Sequence, residues 1–189
     1  MKTIIYFIRH GEVYNPKKIL YGRLPGFKLS KLGIETIKEV AKKLKKRGIQ
    51  YIYASPMLRT RQTAEILGKS LGIKYKISSL INEVNLIFAG MPTDVFKRDI
   101  QKDLYSKKYI SLGQESVEEI GERMLKFVQY IKKRHPGEKI LVVSHGDPIQ
   151  ILRAITSNIK FTWEYKYDNY LQTGDWYTLV SENNHYSWR

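Results

Sequence analysis

Two short segments limit most strongly what this chain can fold into: Thr3 to Ile8 (TIIYFI) and Ile140 to Val143 (ILVV), each followed within three residues by a His-Gly pair. A run of β-branched and aromatic residues without polar alternation suits a strand whose sheet is covered on both faces. A glycine right after the strand leaves the chain free to turn there. His10 and His145 are therefore expected at the C-terminal ends of two buried strands.

Helical periodicity fills the intervals. Ile34, Ile37, Val40, Ala41 and Leu44 keep the spacing of a helix over Ser30 to Arg47, with lysines opposite and Gly48 where a C-terminal cap belongs. Ile49 to Ala54 reads as the next strand. The segment from Ser55 to Gly72 reads as a helix capped by Ser55, with Pro56 at its first position and Gly72 beyond its end. A short strand is expected at Lys74 to Ile77. Ser116 and Glu119 form a capping box for an amphipathic helix running to His135 and Pro136. Asp147 and Pro148 read as cap and first-turn proline of a helix to about Ile159. The tyrosine- and tryptophan-rich tail, Trp163 to Arg189, favours edge strands. Strands alternating with helices imply a three-layer α/β/α sandwich around a mainly parallel sheet.

At 189 residues one domain spanning 1–189 is expected, with the least regular stretch, 84–115, as a lid over the site. The opening apolar stretch stops at Arg9 and His10, far short of the roughly 18 residues a membrane helix needs. There are no cysteines, which removes disulfides and thiol catalysis. A cytoplasmic location fits best. The net charge of +15, from 33 basic and 18 acidic residues, favours anionic partners or reflects a lysine-rich solvated surface.

Strand C-termini of an open α/β sheet are where ligands bind, so the two histidines become candidates for one pocket. An imidazole can carry a phosphoryl group between two half-reactions. His10 is the better nucleophile because Arg9 adjoins it. Phosphoryl transfer asks mainly for positioning and positive charge, which Arg9, Arg59 in the first turn of its helix, His145 and the Gly146 turn can supply. A carboxylic acid should protonate the leaving oxygen and later activate water, and Glu83 is the choice.

These residues, RHGE at 9–12, SPMLRTRQTA at 55–64, the NE pair at 82–83, GQES at 113–116 and VVSHG at 142–146, together resemble the histidine phosphatase superfamily, also called phosphoglycerate-mutase-like. YGRLPGFKLSKLG at 21–33 is similar to the family's segment after the first motif. The resemblance implies a phosphorylated His10, a phosphate pocket of Arg9, Arg59 and His145, Glu83 as proton donor and then base, and no metal or other cofactor. The choice of Glu83 leans on it more than the four basic residues do. Relatives often carry a phosphate-touching asparagine after RHGE; Asn15, one position early, is the candidate here. Asp147 stands where many relatives have a second glycine, and caps the helix or serves as an alternative acid, with the cap preferred. IFAGMP replaces the family's usual run after the acid, so specificity does not transfer.

The remaining candidates have plainer readings beside them. Glu12 suits a structural carboxylate, and Arg23 either a substrate contact or a loop salt bridge. Arg61 faces away from Arg59 on a helix. His135 and His185 read as structural or exposed. Four scattered histidines lack zinc-ligand spacing, and no P-loop is present. The expected reaction is hydrolysis of a small phosphomonoester, with mutase-type transfer as the alternative. A basic nucleic-acid-binding module is less favoured because no specific nucleic-acid motif occurs. A homodimer is compatible with the sequence, which fixes no oligomeric state.

Overall fold

The computed structural model describes residues 2–183 and 185–189. A six-stranded sheet has the order β3-β2-β4-β1-β5-β6, formed by β1 (Thr3–Arg9), β2 (Tyr51–Ala54), β3 (Tyr75–Ile77), β4 (Lys139–Ser144), β5 (Trp176–Glu182) and β6 (His185–Trp188). β3, β2, β4 and β1 run parallel; β5 is antiparallel to β1, and β6 to β5. The sheet is thus mainly parallel.

The absence of alternation in the central strands has the expected cause. Ile5, Phe7, Ile140 and Val142 pack on one face against α5 (Val117–Arg134) and α6 (Gly146–Thr156). Their neighbours Tyr6, Ile8, Leu141 and Val143 pack on the other against α1 (Lys31–Leu44) and α2 (Leu58–Leu71). Each such side chain, fully withdrawn from water, contributes about 2 kcal/mol of apolar transfer free energy, so both faces must be covered. The three-layer α/β/α sandwich follows.

Helix termini show which local signals held. Ser30 caps α1 by accepting from Gly33 N, and the helix tightens to a 3-10 turn over Lys45–Arg47 before Gly48 at φ 70. Ser116 and Glu119 make both bonds of the capping box. Two expected caps are overturned. Ser55 does not cap α2: the cap position is Met57, and the Ser55 hydroxyl is engaged by Asn82 and His145. Asp147 does not cap α6: His145 holds the cap position, and the Asp147 carboxylate is drawn away by Tyr105 and Lys166. α6 also ends at Thr156 rather than near Ile159.

Between β3 and α5 lie two short helices, α3 (Thr93–Asp99) and α4 (Lys107–Ile110). In the tail, α7 (Trp163–Asp168) precedes the two strands, so only part of that aromatic stretch is extended, and only β6 is an edge. No helix among the described residues is long and apolar enough to cross a membrane.

Candidate active site

Register brings the two histidines together. β1 pairs with β4 so that Arg9 lies opposite Ser144, and the next backbone bond runs from His10 N to Ser144 O at 3.1 Å. His10 and His145 therefore leave adjacent strands side by side, with ring centroids 5.3 Å apart. The His10 loop also needs α1 to approach closely. A Cβ on Gly33 would lie 2.2 Å from Glu12 O, so no larger residue fits there without moving that loop.

Arg59 links the pair. It is fully buried at 1% exposure, and its Nε donates to His10 Nε2 at 3.1 Å. Its Nη2 lies 2.9 Å from Gly22 O, 3.3 Å from Glu83 Oε2 and 3.2 Å from His145 Nδ1. The Tyr21 ring packs against the guanidinium, 4.8 Å from Cζ to centroid. Thr63 joins α2 to the His10 loop, accepting from Gly11 N and donating to Arg59 O.

His10 Nδ1 lies 2.8 Å from Gly11 O, which can only accept. Nδ1 therefore carries the hydrogen in the neutral ring, and Nε2 keeps the lone pair. Burial, and then the charge of Arg59, push the His10 pKa well below its usual 6.5, which keeps that lone pair available at neutral pH.

Arg9 comes from the last residue of β1. Its Nη1 donates to Leu171 O at 2.7 Å, while its Nε is buried with no hydrogen-bond partner among the described residues. An orphaned buried donor carries a desolvation cost of roughly 1–3 kcal/mol unless an acceptor arrives. Gly146, the first residue of α6, would place a Cβ 3.5 Å from the Arg9 guanidinium.

Glu83 closes the site. Its Oε1 accepts from Val84 N at 2.9 Å, and its Oε2 sits 3.3 Å from both Arg59 Nη2 and His145 Nδ1. Burial alone would raise this carboxyl, but the groups around it, the Arg59 guanidinium and the Val84 amide among them, outweigh it and hold the pKa well below 4.5. For His145, burial is the largest influence, and it lowers the pKa to about 4 against the pull of Glu83.

A cavity of about 310 Å³ opens beside these groups. Arg9, Glu83 and Gly146 line its chemical end, while Leu20, Leu86, Phe96 and Leu104 form an apolar wall with Lys97, Asp147 and Lys166 around it. Much of that wall comes from residues 84–115. The Asp147 carboxylate, bound by Tyr105 Oη at 2.6 Å and Lys166 Nζ at 2.8 Å, ties three distant segments together at this end.

The pocket thus gathers two buried imidazoles, two arginines and a carboxylate at parallel strand ends, and the sequence model of the histidine phosphatase superfamily (branch 1) matches residues 5–186. The chain belongs to the histidine phosphatase superfamily. The uncharacterized protein Rv0525 of Mycobacterium tuberculosis (strain ATCC 25618 / H37Rv) is 34% identical over 157 residues, covering 80% of this chain and 77% of that one. The probable phosphoglycerate mutase GpmB of Yersinia pestis (strain Pestoides F) is 27% identical over 151 residues, covering 75% and 69%. The native structure of mycobacterial glucosyl-3-phosphoglycerate phosphatase Rv2419c shares the fold at a TM-score of 0.80 and 20% identity, over 100% of this chain and 97% of that chain.

Against this family background, the sequence candidates divide. His10, His145, Arg9, Arg59, Glu83 and Gly146 converge. Asn15 lies elsewhere: its carboxamide is engaged at both ends by Ile19, with Nδ2 donating to the carbonyl at 2.8 Å and Oδ1 accepting from the amide at 3.2 Å. Arg23 pairs with Glu115 at 3.2 Å and donates to Glu83 O at 2.7 Å, which braces the acid from behind. Glu12 accepts from Ser30 Oγ, Arg61 and His185 are exposed, and His135 is buried between Tyr53 and Glu138. Sequence reasoning gave no role to Tyr21, although it opens the 21–33 segment, and passed over Tyr105, Lys166 and Tyr170, which no motif singles out; the Tyr170 ring sits 5.1 Å from Arg9 Cζ.

His10, Glu83 and His145 each offer a ligand atom within 4.8 Å of the others, a spacing a metal ion could use. Arg59 lies within hydrogen-bond distance of the same three side chains. A cation there would have to displace a buried guanidinium or share the site with its charge.

Proposed function

We propose that this chain is a phosphatase that hydrolyses a small phosphomonoester, without a metal, through a phosphohistidine on His10. The observation that carries the reading is the lone pair of His10 Nε2, held unprotonated within reach of Arg59 and beside Arg9, His145 and Glu83. The reading is a proposal about this chain and rests on that juxtaposition together with the family.

The two half-reactions use these groups in turn. The phosphoryl group binds where Arg9 Nε lacks a partner, and Arg59 turns its donors from His10 to the phosphoryl oxygens. His10 Nε2 attacks phosphorus as the P–O bond to the leaving group breaks, and a proton from Glu83 neutralises the departing oxygen. Water then attacks phosphorus while Glu83 takes its proton, and the N–P bond electrons return to Nε2. The alcohol leaves, and inorganic phosphate departs as its dihydrogen monoanion with the proton Glu83 took from water, so the carboxylate is ionised again.

Because Glu83 is ionised in the free enzyme, the first proton must arrive with the substrate. A phosphate monoester, whose second pKa is about 6, brings one as its monoanion, and its remaining charge beside Glu83 raises the carboxyl's proton affinity.

Similarity to a probable phosphoglycerate mutase keeps phosphoryl return to a second oxygen as the alternative. The test is phosphate release from p-nitrophenyl phosphate in excess EDTA by wild type and His10→Ala. Turnover by the wild type alone supports the reading; full activity in the variant contradicts it. With 2-phosphoglycerate, release of inorganic phosphate favours the phosphatase, and accumulation of 3-phosphoglycerate favours the mutase.

A further inference from the structure

We infer that Ser55 and Asn82 are positioning residues that fix the tautomer of His145, so that its Nδ1 lone pair faces Glu83 and the two side chains hold one proton between them. This deepens the acid–base role given to Glu83 and rests on that reading for its catalytic meaning.

The tautomer follows from a chain of donors and acceptors. Asn82 Oδ1 accepts from Glu83 N at 2.9 Å; a backbone amide only donates, so the carboxamide end at this position is its oxygen. Ser55 Oγ lies 3.2 Å from that same oxygen. Only the serine hydroxyl hydrogen can join two oxygens there, and serine has one. The bond between Ser55 Oγ and His145 Nε2, 2.8 Å long, must then take its hydrogen from the imidazole. Met57 N, 3.4 Å away, is also a donor and supplies nothing to contradict this.

His145 therefore carries hydrogen on Nε2 and a lone pair on Nδ1, the reverse of His10. Around that lone pair the hydrogens run short. Arg59 Nη2 bears two and faces three acceptors: Gly22 O at 2.9 Å, Glu83 Oε2 at 3.3 Å and His145 Nδ1 at 3.2 Å. Glu83 Oε2 and His145 Nδ1 are themselves 3.3 Å apart, two acceptors in contact, the imidazole fully buried and the carboxylate only 15% exposed. One added proton between them completes the set.

That is the proton the leaving oxygen needs. Delivered with the substrate, it sits between Glu83 Oε2 and His145 Nδ1. Glu83 passes it to the leaving oxygen, and the proton from the attacking water restores it. Were His145 in the other tautomer, Nδ1–H would already fill this place, and an added proton would have to sit elsewhere on the carboxylate, outside the pair. Asn82 holds the Glu83 backbone and the Ser55 hydroxyl with a single oxygen, so one side chain sets both partners.

The test reads the imidazole directly. Heteronuclear multiple-bond correlation spectra of isotope-labelled protein near neutral pH distinguish the two tautomers of His145 in the wild type, Ser55→Ala, Ser55→Thr and Asn82→Ala. The wild type and Ser55→Thr should show hydrogen on Nε2, and Ser55→Ala and Asn82→Ala a shift toward hydrogen on Nδ1. Turnover of an alkyl phosphate should drop at least about tenfold in kcat for Ser55→Ala, with KM little changed and recovery in Ser55→Thr, as expected when an acid–base group is misaligned. A wild-type Nδ1–H tautomer overturns the inference whatever the variants do, and so does a Ser55→Ala spectrum identical to the wild type. Should Ser55→Ala fail to fold, Asn82→Ala interrogates the same link. The spectra need no turnover: the expected tautomer in a protein that hydrolyses nothing contradicts the phosphatase reading alone.

Discussion

The Nε–H of Arg59 points at Nε2 of His10 from 3.1 Å, so the lone pair on which the proposed mechanism depends is covered by the guanidinium that the same proposal assigns to the phosphoryl oxygens. On that proposal, one guanidinium shields the imidazole until an anion offers better acceptors, and the neighbouring Arg9 Nε, without a hydrogen-bond partner among the described residues, offers that anion its first donor.

Arg59→Lys should abolish this exchange. A lysine has one nitrogen where the guanidinium uses Nε and Nη2 on different partners, so it cannot bridge both histidines and Glu83. Steady-state kinetics are expected to show kcat/KM reduced by about three orders of magnitude, the scale of an arginine acting on a transferring phosphoryl group. A loss below tenfold would mean that Arg59 only shapes the pocket.

Glu83→Gln should discriminate between leaving groups. p-Nitrophenolate departs without a proton, whereas an alkoxide does not. The variant is expected to lose roughly 100-fold or more in the rate of alkyl phosphate hydrolysis, and much less in the pre-steady-state burst with p-nitrophenyl phosphate. Equal losses on both substrates would remove Glu83 from the protonation step.

Asp147→Asn separates a structural tie to Lys166 from the role of alternative acid. The carboxylate binds Lys166, whose side chain is only 10% exposed, and removing it strands a largely buried ammonium at a cost of about 3 kcal/mol. Urea unfolding should register that loss, and KM should rise while kcat changes by less than about tenfold. A collapse of kcat with little change in KM or stability would instead make Asp147 an acid.

Stability should fall on acidification before most carboxylates titrate. The folded-state pKa of His145 is about 4 against 6.5 unfolded, and that of His10 is also depressed. Below 6.5 the unfolded chain binds protons that the folded chain does not, so the fold weakens as pH drops toward 4; His145 alone accounts for a loss on the order of 3 kcal/mol. Glu83, also depressed, adds to the loss only below 4.5. Urea titrations across this range should show the slope, and His145→Ala should flatten it. A wild-type stability independent of pH between 7 and 5 would contradict the buried neutral imidazoles.

Local sequence pattern made the central strands, the amphipathic helices and the strand-end histidines legible, because each follows from residues a few positions apart. It was silent where a side chain is claimed from far away. Ser55 before Pro56 and Asp147 before Pro148 have the composition of helix caps, yet Asn82 and His145 take the first, and Tyr105 and Lys166 take the second. Asn15 sits near the right motif, and its carboxamide bonds the Ile19 backbone at both ends, a local contact the motif does not announce. α7, six residues long, is too short to show a helical period among its tyrosines. Pairing of β1 with β4, which sets His10 beside His145, could be expected only as a shared sheet edge; the register is a property of the whole sheet.

The most direct measurement of the central claim is a rapid acid-free quench of wild-type enzyme mixed with a phosphate-labelled monoester, followed by digestion and identification of the labelled peptide. The label should appear at His10, be labile to acid, form and decay fast enough to account for turnover, and be absent from His10→Ala. Turnover with no label on His10, or label on another residue, would contradict the account.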